Sequence, residues 1–202
     1  KDSQDPTNTH GKIVRINADG SIPADNPFAD GENGKPSVYS YGHRNVQGLY
    51  YDPETDTLYE TEHGPKGGDE LNLVTPGTNY GWPKITYGVN YDGTIITNET
   101  EAEGMAQPMT YWVPSIAPSG LVMLTSDVYP GWKGDLFTGG MNGPAGLELT
   151  RIDMENGEVV GRESLFDGEY AIRDVVQGPD GHLYVATKDF DGIFRVDPVE
   201  AE

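Results

Sequence analysis

One phrase recurs along the chain, and it constrains the fold more than any other feature. An apolar stretch leads to a turn of acidic residues with Pro or Gly. A strand with a Leu-aromatic pair follows, then a Gly-rich turn and a closing strand. Residues 48–74 carry the phrase as GLYYDPETDTLYETEHGPKGGDELNLV. Residues 120–153 carry a looser copy, GLVMLTSDVYPGWKGDLFTGGMNGPAGLELTRID, and residues 173–197 a compact one, RDVVQGPDGHLYVATKDFDGIFRVD. Leu58-Tyr59, Leu136-Phe137 and Leu183-Tyr184 occupy equivalent places, and the closing strands fall at residues 70–74, 147–153 and 193–197.

Each unit is a small antiparallel sheet that cannot bury both faces alone. Radial stacking buries them, so the expected fold is all-β, a propeller of four-stranded antiparallel blades. A sandwich is the alternative, and the blade-like spacing of the turn signals favours the propeller. Residues 3–198 read as a single domain. GKIVRIN at residues 11–17 reads as one more closing strand, with inner partners expected upstream, so the chain is expected to begin mid-blade. Three units and a fraction are few for a ring, where about four to eight blades are usual. The expectation is a partial propeller of about 3–4 blades. Either it belongs to a larger ring, or its open blade edges are covered by self-association.

Residues 75–118, with NYGWP at 79–83 and a polar stretch at 98–104, interrupt the repeat. They read as an extended loop insertion with some strand, and long loops in compact domains are often functional. Asn98-Glu99-Thr100 matches a glycosylation sequon, a pattern too short to be specific.

Composition agrees with short strands and many turns: the 202 residues include 27 Gly, 15 Pro and 12 Tyr, with 35% hydrophobic. The absence of Cys excludes disulfides and thiol chemistry. No apolar run approaches the roughly 18 residues of a membrane span, so no membrane insertion is expected. A net charge of −20 repels nucleic acid and anionic membranes, which makes both poor partners. The acidic residues are spread along the chain. A solubilising surface and adaptation to high salt both account for them.

Three clusters carry candidate chemistry. In YGHRNVQGL, residues 41–49, Arg44 offers a planar fork of donors, and Asn45 and Gln47 add amides. Together they suit a planar ligand rich in carboxylates and carbonyls, or else they satisfy a turn. In ETEHGPKGGDELNLV, residues 60–74, Gly64, Pro65, Gly67 and Gly68 leave carbonyls available as hard-oxygen donors, with Asp69 and Glu70 nearby. A plain acidic hairpin is the alternative. His63 reads as a base, a ligand or, more commonly for a lone His, a structural residue. In AIRDVVQGPDGHLYV, residues 171–185, Arg173 precedes a strand as Arg44 does, and both can serve an anionic ligand at a shared mouth. An ion pair of Arg173 with Asp174 or a neighbouring blade is the alternative. There is no His-Glu-x-x-His, phosphate loop or Gly-x-Ser-x-Gly elbow.

GKIVRIN, GSIPADNPF, YGHRNVQGL, EHGPKGGDELNLV, NYGWP and IRDVVQGPDGHLYV occur in this order, over roughly residues 3–198. In this the chain resembles the soluble pyrroloquinoline-quinone (PQQ)-dependent glucose, aldose and sorbosone dehydrogenases. The resemblance implies a six-bladed propeller, of which this chain is the C-terminal half or somewhat more. It implies PQQ and Ca²⁺ as cofactors and an aldose sugar substrate, oxidised at C1 to the lactone. It implies that Arg44, Asn45 and Gln47 hold the cofactor, that Gly64 and Pro65 bind Ca²⁺ through their carbonyls, and that Arg173 pairs with a cofactor carboxylate. Ser115 stands near a family hydroxyl residue with a cofactor contact. A periplasmic or secreted location is also implied.

Some family features do not match. The catalytic His, its partner acid and a substrate-contacting Gln belong to upstream blades, and no residue here fills the catalytic role, His63 included. Ala171 stands where the family often has a second arginine, and Asn142 falls where a lysine is expected. Two readings follow: the cofactor-side portion of a sugar dehydrogenase, or an inactive propeller fragment that self-assembles or binds a partner. A Ca²⁺-dependent lactonase on the same fold type is a weaker third, because its acidic metal cluster is not evident.

Overall fold

Turns rich in glycine divide the chain into short antiparallel strands, and a computed structural model describes residues 2–142 and 146–199. β1 (Lys12–Val14) pairs with β2 (Val38–Tyr41). β3 (Val46–Asp52), β4 (Thr57–Glu62), β5 (Asp69–Val74) and β6 (Thr110–Trp112) form a four-stranded sheet in chain order. β7 (Pro118–Met123), β8 (Leu136–Met141), β9 (Leu147–Glu155) and β10 (Glu158–Leu165) form a second. β11 (Ile172–Gln177), β12 (Leu183–Thr187) and β13 (Gly192–Val196) form a three-stranded sheet. A 3-10 turn at Asp2–Gln4 precedes them. Among the described residues, no helix is long and apolar enough to cross a membrane.

The repeat predicted from sequence is the repeat of the sheets. Leu58 stands between Tyr51 and Val74, Leu136 between Met123 and Ile152, and Leu183 between Gln177 and Val196. The arrangement is that of a partial β-propeller. Three details add to the sequence reading. β1 finds its described partner downstream, in β2. The stretch 75–118 supplies β6, the outermost strand of the first four-stranded sheet, through Asp69↔Trp112 and Glu70↔Tyr111. The second sheet gains its fourth strand, β10, from polar residues beyond the repeat.

The innermost strands β3, β7 and β11 lie side by side, with β7 in the middle. Hydroxyls lock them together. Thr61 Oγ1 donates to the Ser119 carbonyl (3.0 Å), and Ser119 Oγ donates to the carbonyls of Ile172 (2.8 Å) and Gly139 (3.1 Å). This approach requires Gly48, where a Cβ would stand 2.6 Å from both the Ser119 carbonyl oxygen and Thr61 Oγ1.

Alternation along β8 explains the core. Successive side chains point to opposite faces. Leu136 joins Tyr59, Leu71, Leu121 and Ile152 between the two four-stranded sheets. Phe137 joins Leu149, Ile172, Val175, Leu183 and Val185 on the other side. Each fully buried side chain of this kind stabilises by about 1.5–3 kcal/mol relative to exposure. The central blade therefore packs apolar side chains against both of its neighbours.

Candidate functional site

Three loops converge beside the inner strands: residues 42–45 before β3, residues 63–68 between β4 and β5, and residues 113–117 before β7. One carboxylate joins two of them. Asp69, the first residue of β5, is fully buried. Its Oδ1 accepts from the Gly64 N–H (2.9 Å). Its Oδ2 accepts from Ser115 Oγ (2.6 Å) and from the N–H groups of Ile116 and Ala117 (both 2.9 Å). Four donors offset the cost of burying this anion.

Glu62, the last residue of β4, fixes the remaining loop. Its Oε2 accepts from the N–H groups of Arg44 (2.6 Å) and Asn45 (3.2 Å). The Arg44 guanidinium donates to the His63 carbonyl (2.9 Å) and lies 5.2 Å over the Trp82 ring, which sets its direction. Asn45 is exposed and accepts from Gln47 Nε2 (3.1 Å). The structure thus brings Arg44, Asn45 and Gln47 together, as their spacing suggests.

His63 is committed to the scaffold. Its Nε2 donates to the Pro118 carbonyl (2.7 Å), while Nδ1 faces Asn45 Nδ2 (3.5 Å), so the ring bridges β4 and β7. This is the structural role weighed from sequence.

Gly64 and Pro65 are both buried, and among the described residues their carbonyls accept no hydrogen bond. A Cβ at Gly64 would run into the backbones of Gly67 and Gly68, so only glycine permits the turn. The loop is pinned on its far side, where Lys66 N–H donates to the Val89 carbonyl (3.0 Å) and Gly68 N–H to that of Trp112 (2.8 Å). Carbonyls of buried residues usually find a partner. These two match the needs of a hard cation.

Arg173, on β11, is exposed and forms no ion pair among the described residues; Asp174 instead accepts from the Val175 N–H (3.0 Å). Arg173 sits two sheets from Arg44, and no hydrogen bond joins them. The path between them runs through Ile172, Ser119, Pro118 and His63. The Ser115 hydroxyl donates to Asp69, and its carbonyl accepts from Asn142 Nδ2 (2.8 Å), so it braces the loop. Residues 143–145 of the GGMNGPAG stretch lie outside the described residues. Ala171 is buried, with its N–H donating to Asp189 (3.3 Å).

Burial governs the acids of this sheet. It raises the pKa of Glu60 well above the ordinary carboxylate range. Burial and the nearby Glu60 do the same to Glu62. Burial lifts Glu70 to about 7 and lowers His43. The sequence reading missed Asp69 and Glu62 as organising residues. Glu60 and Glu62, two apart on β4 and so on one face of the strand, were the available signal.

The fold places this chain among propeller proteins, with amide- and guanidinium-bearing turns at the inner ends of its blades. Comparison narrows that class. The family model described as Glucose / Sorbosone dehydrogenase matches residues 1–195, and the chain belongs to that family. It is 40% identical over 202 residues to the aldose sugar dehydrogenase YliI of Escherichia coli K12, covering 97% of this chain and 53% of that protein. A glucose dehydrogenase crystal structure matches with a TM-score of 0.91 at 40% identity, covering 98% of this chain and 57% of that one. The PQQ-bound aldose sugar dehydrogenase of Streptomyces coelicolor matches with a TM-score of 0.69 at 32% identity, covering 91% and 47%. The chain spans about half the length of the curated relatives it matches.

Proposed function

We propose that this chain supplies the cofactor-holding face of a PQQ- and Ca²⁺-dependent aldose dehydrogenase that oxidises the sugar at C1 to the lactone. The observation that carries the reading is that Gly64 and Pro65, two buried residues whose carbonyls accept no hydrogen bond from the described residues, share a loop with His63, whose own carbonyl holds the Arg44 guanidinium. The donor set fits the cofactor. PQQ is flat and carries three carboxylates, so it needs a guanidinium, amides and a divalent cation together. Bound PQQ with Ca²⁺ supplies the electron-accepting and Lewis-acid chemistry of the oxidation.

The chain's own residues bind and orient. Arg44, aimed by Trp82 and the His63 carbonyl, presents its remaining donors to a carboxylate. Asn45 and Gln47 present amides from the same turn. Gly64 and Pro65 offer their carbonyls to the cation, held by Asp69. Arg173 adds an uncommitted positive charge from β11. Ser115 supports the loop opposite. No residue here is assigned as the base. A periplasmic or secreted location belongs with this reading.

The test is reconstitution of the purified chain with PQQ and Ca²⁺. Cofactor absorbance should survive gel filtration with Ca²⁺ and disappear with a chelator. Dye reduction with glucose then asks whether turnover accompanies binding. No retained PQQ at any Ca²⁺ concentration overturns the reading.

A second reading, a non-catalytic propeller that self-associates, draws on the last sheet. There β13 forms the edge of three strands, and Ile193 (74% exposed), Phe190 (54%) and Phe194 (46%) on or beside it are exposed. Exposed strand edges invite pairing. A monomer by light scattering across the micromolar range removes this reading.

A further inference from the structure

Beneath the cofactor-side loops lies a group of polar side chains that the proposed chemistry does not use. His43 is 1% exposed, Glu60 0%, Glu62 3% and Asn72 0%. Glu60 and Glu62 project from the same face of β4, and His43 stands just before β3. One ligand atom each from His43, Glu60 and Glu62 lies within 4.8 Å of the others.

Three atoms in this group have no hydrogen-bond partner: His43 Nδ1, Glu60 Oε2 and Asn72 Oδ1. His43 Nδ1 is 3.3 Å from Glu60 Oε1 without the alignment of a hydrogen bond. The ring is nevertheless fixed. Nε2 bonds to Ser40 Oγ at 2.8 Å, and Tyr80 stacks on the ring at 4.5 Å. Nδ1 is therefore held toward the carboxylates. Asn72 donates to Glu60 Oε1 (2.9 Å) and Glu70 Oε2 (3.1 Å), which orients both acids. Among the described residues, no lysine or arginine pairs with Glu60 or Glu62. The Arg44 guanidinium is engaged with the His63 carbonyl and the Trp82 ring. Buried carboxylates without a cationic partner hold a proton or coordinate a metal.

We propose that His43, Glu60 and Glu62 bind a divalent transition-metal ion of the Mn²⁺ or Zn²⁺ class. An imidazole nitrogen with carboxylate oxygens suits these ions and not Ca²⁺, which takes oxygen ligands only. The site is thus chemically distinct from the carbonyls of Gly64 and Pro65. The metal ties the His43 turn to β4. Because Glu62 also holds the N–H groups of Arg44 and Asn45, it sets the position of the turn that presents them.

The test uses the full chain, stripped with a chelator and reloaded with Mn²⁺. Pulsed electron paramagnetic resonance reads ¹⁴N coupling to the metal, which the Gly64 and Pro65 carbonyls cannot supply, and its loss in His43→Gln separates His43 from His182, which faces Asp180 and Asp197. The expected result is one nitrogen-coupled Mn²⁺ per chain. Tm should rise by roughly 5–10 °C at a hundredfold excess over Kd. Glu60→Gln and His43→Gln should each abolish the nitrogen-coupled signal and the rise in Tm. Wild-type protein whose bound Mn²⁺ shows oxygen coupling alone, or that binds none, overturns the proposal, whether or not the variants fold. A Tm rise that persists in Glu60→Gln also overturns it. Ca²⁺-dependent retention of PQQ is read separately, so this proposal and the proposed function fail independently.

Discussion

At register-equivalent places the two four-stranded sheets carry different side chains. In the first, Glu60 on β4 stands opposite Asn72 on β5; in the second, Thr138 on β8 stands opposite Thr150 on β9. The neighbouring positions are alike: Tyr59 matches Phe137, and Leu71 matches Leu149, all buried. One set of positions in each strand builds the frame. The alternate set is free to vary, and in the first sheet it has taken up acids and an amide. Chemistry has entered this blade without altering its strand order.

The sharpest way to break the comparison is Asp69→Ala. It removes an acceptor of four bonds, each worth about 1.5–3 kcal/mol to a buried anion. Urea unfolding should show a loss above about 4 kcal/mol, and the variant should retain no PQQ. Phe137→Ala, in the apolar sheet, should cost about 3–5 kcal/mol by the same measurement. Its folded fraction should bind PQQ as tightly as wild type. If it does not, the sheets are coupled and the division fails. Arg44→Ala should leave unfolding nearly unchanged and weaken PQQ binding tenfold or more by absorbance titration, since it removes about 1.5–3 kcal/mol of charge-assisted bonding.

The smallest effect is one of pH, in metal-free protein. Glu70, raised to about 7, binds its proton more tightly folded than unfolded. Its contribution to stability is complete below the ordinary glutamate value and is lost as pH rises through 7. Glu60 and Glu62 act in the same direction. His43, lowered by burial, acts oppositely: its contribution is present above the ordinary histidine value and is lost as pH falls. Between pH 5 and pH 7.5 the glutamates should dominate. Tm should fall by about 2–4 °C per kcal/mol lost, and Glu70→Gln should flatten the slope. Scanning calorimetry checks this.

Much of the frame was legible in the sequence because periodicity and turn chemistry are local. The Leu-aromatic pairs at 58, 136 and 183 mark equivalent strands. The outer strands were not legible. β6 has three residues, and β10, EVVGRESL, is mostly polar and exposed on an outer rim, so neither carries an apolar signature. The grouping of Arg44, Asn45 and Gln47 was legible because they share one turn. Arg173 was legible as a residue, but its distance from that turn is a property of sheet packing. Asp69 read as a carboxylate near the candidate carbonyl donors or as part of a plain acidic hairpin, and Glu62 carried no separate signal. Their roles come from partners 47 and 18 positions away, which no local pattern encodes.

The hydroxyl links from Thr61 to Ser119 and from Ser119 to Ile172 run across three blades and use backbone carbonyls as acceptors. They act as a hoop whose circumference does not depend on which side chains decorate the rim. Outer strands can then be shortened, lengthened or recharged by mutation while the spacing of the inner turns stays constant. A laboratory seeking to graft new sequence onto this protein would begin at β6 and β10 and leave the two hydroxyls alone.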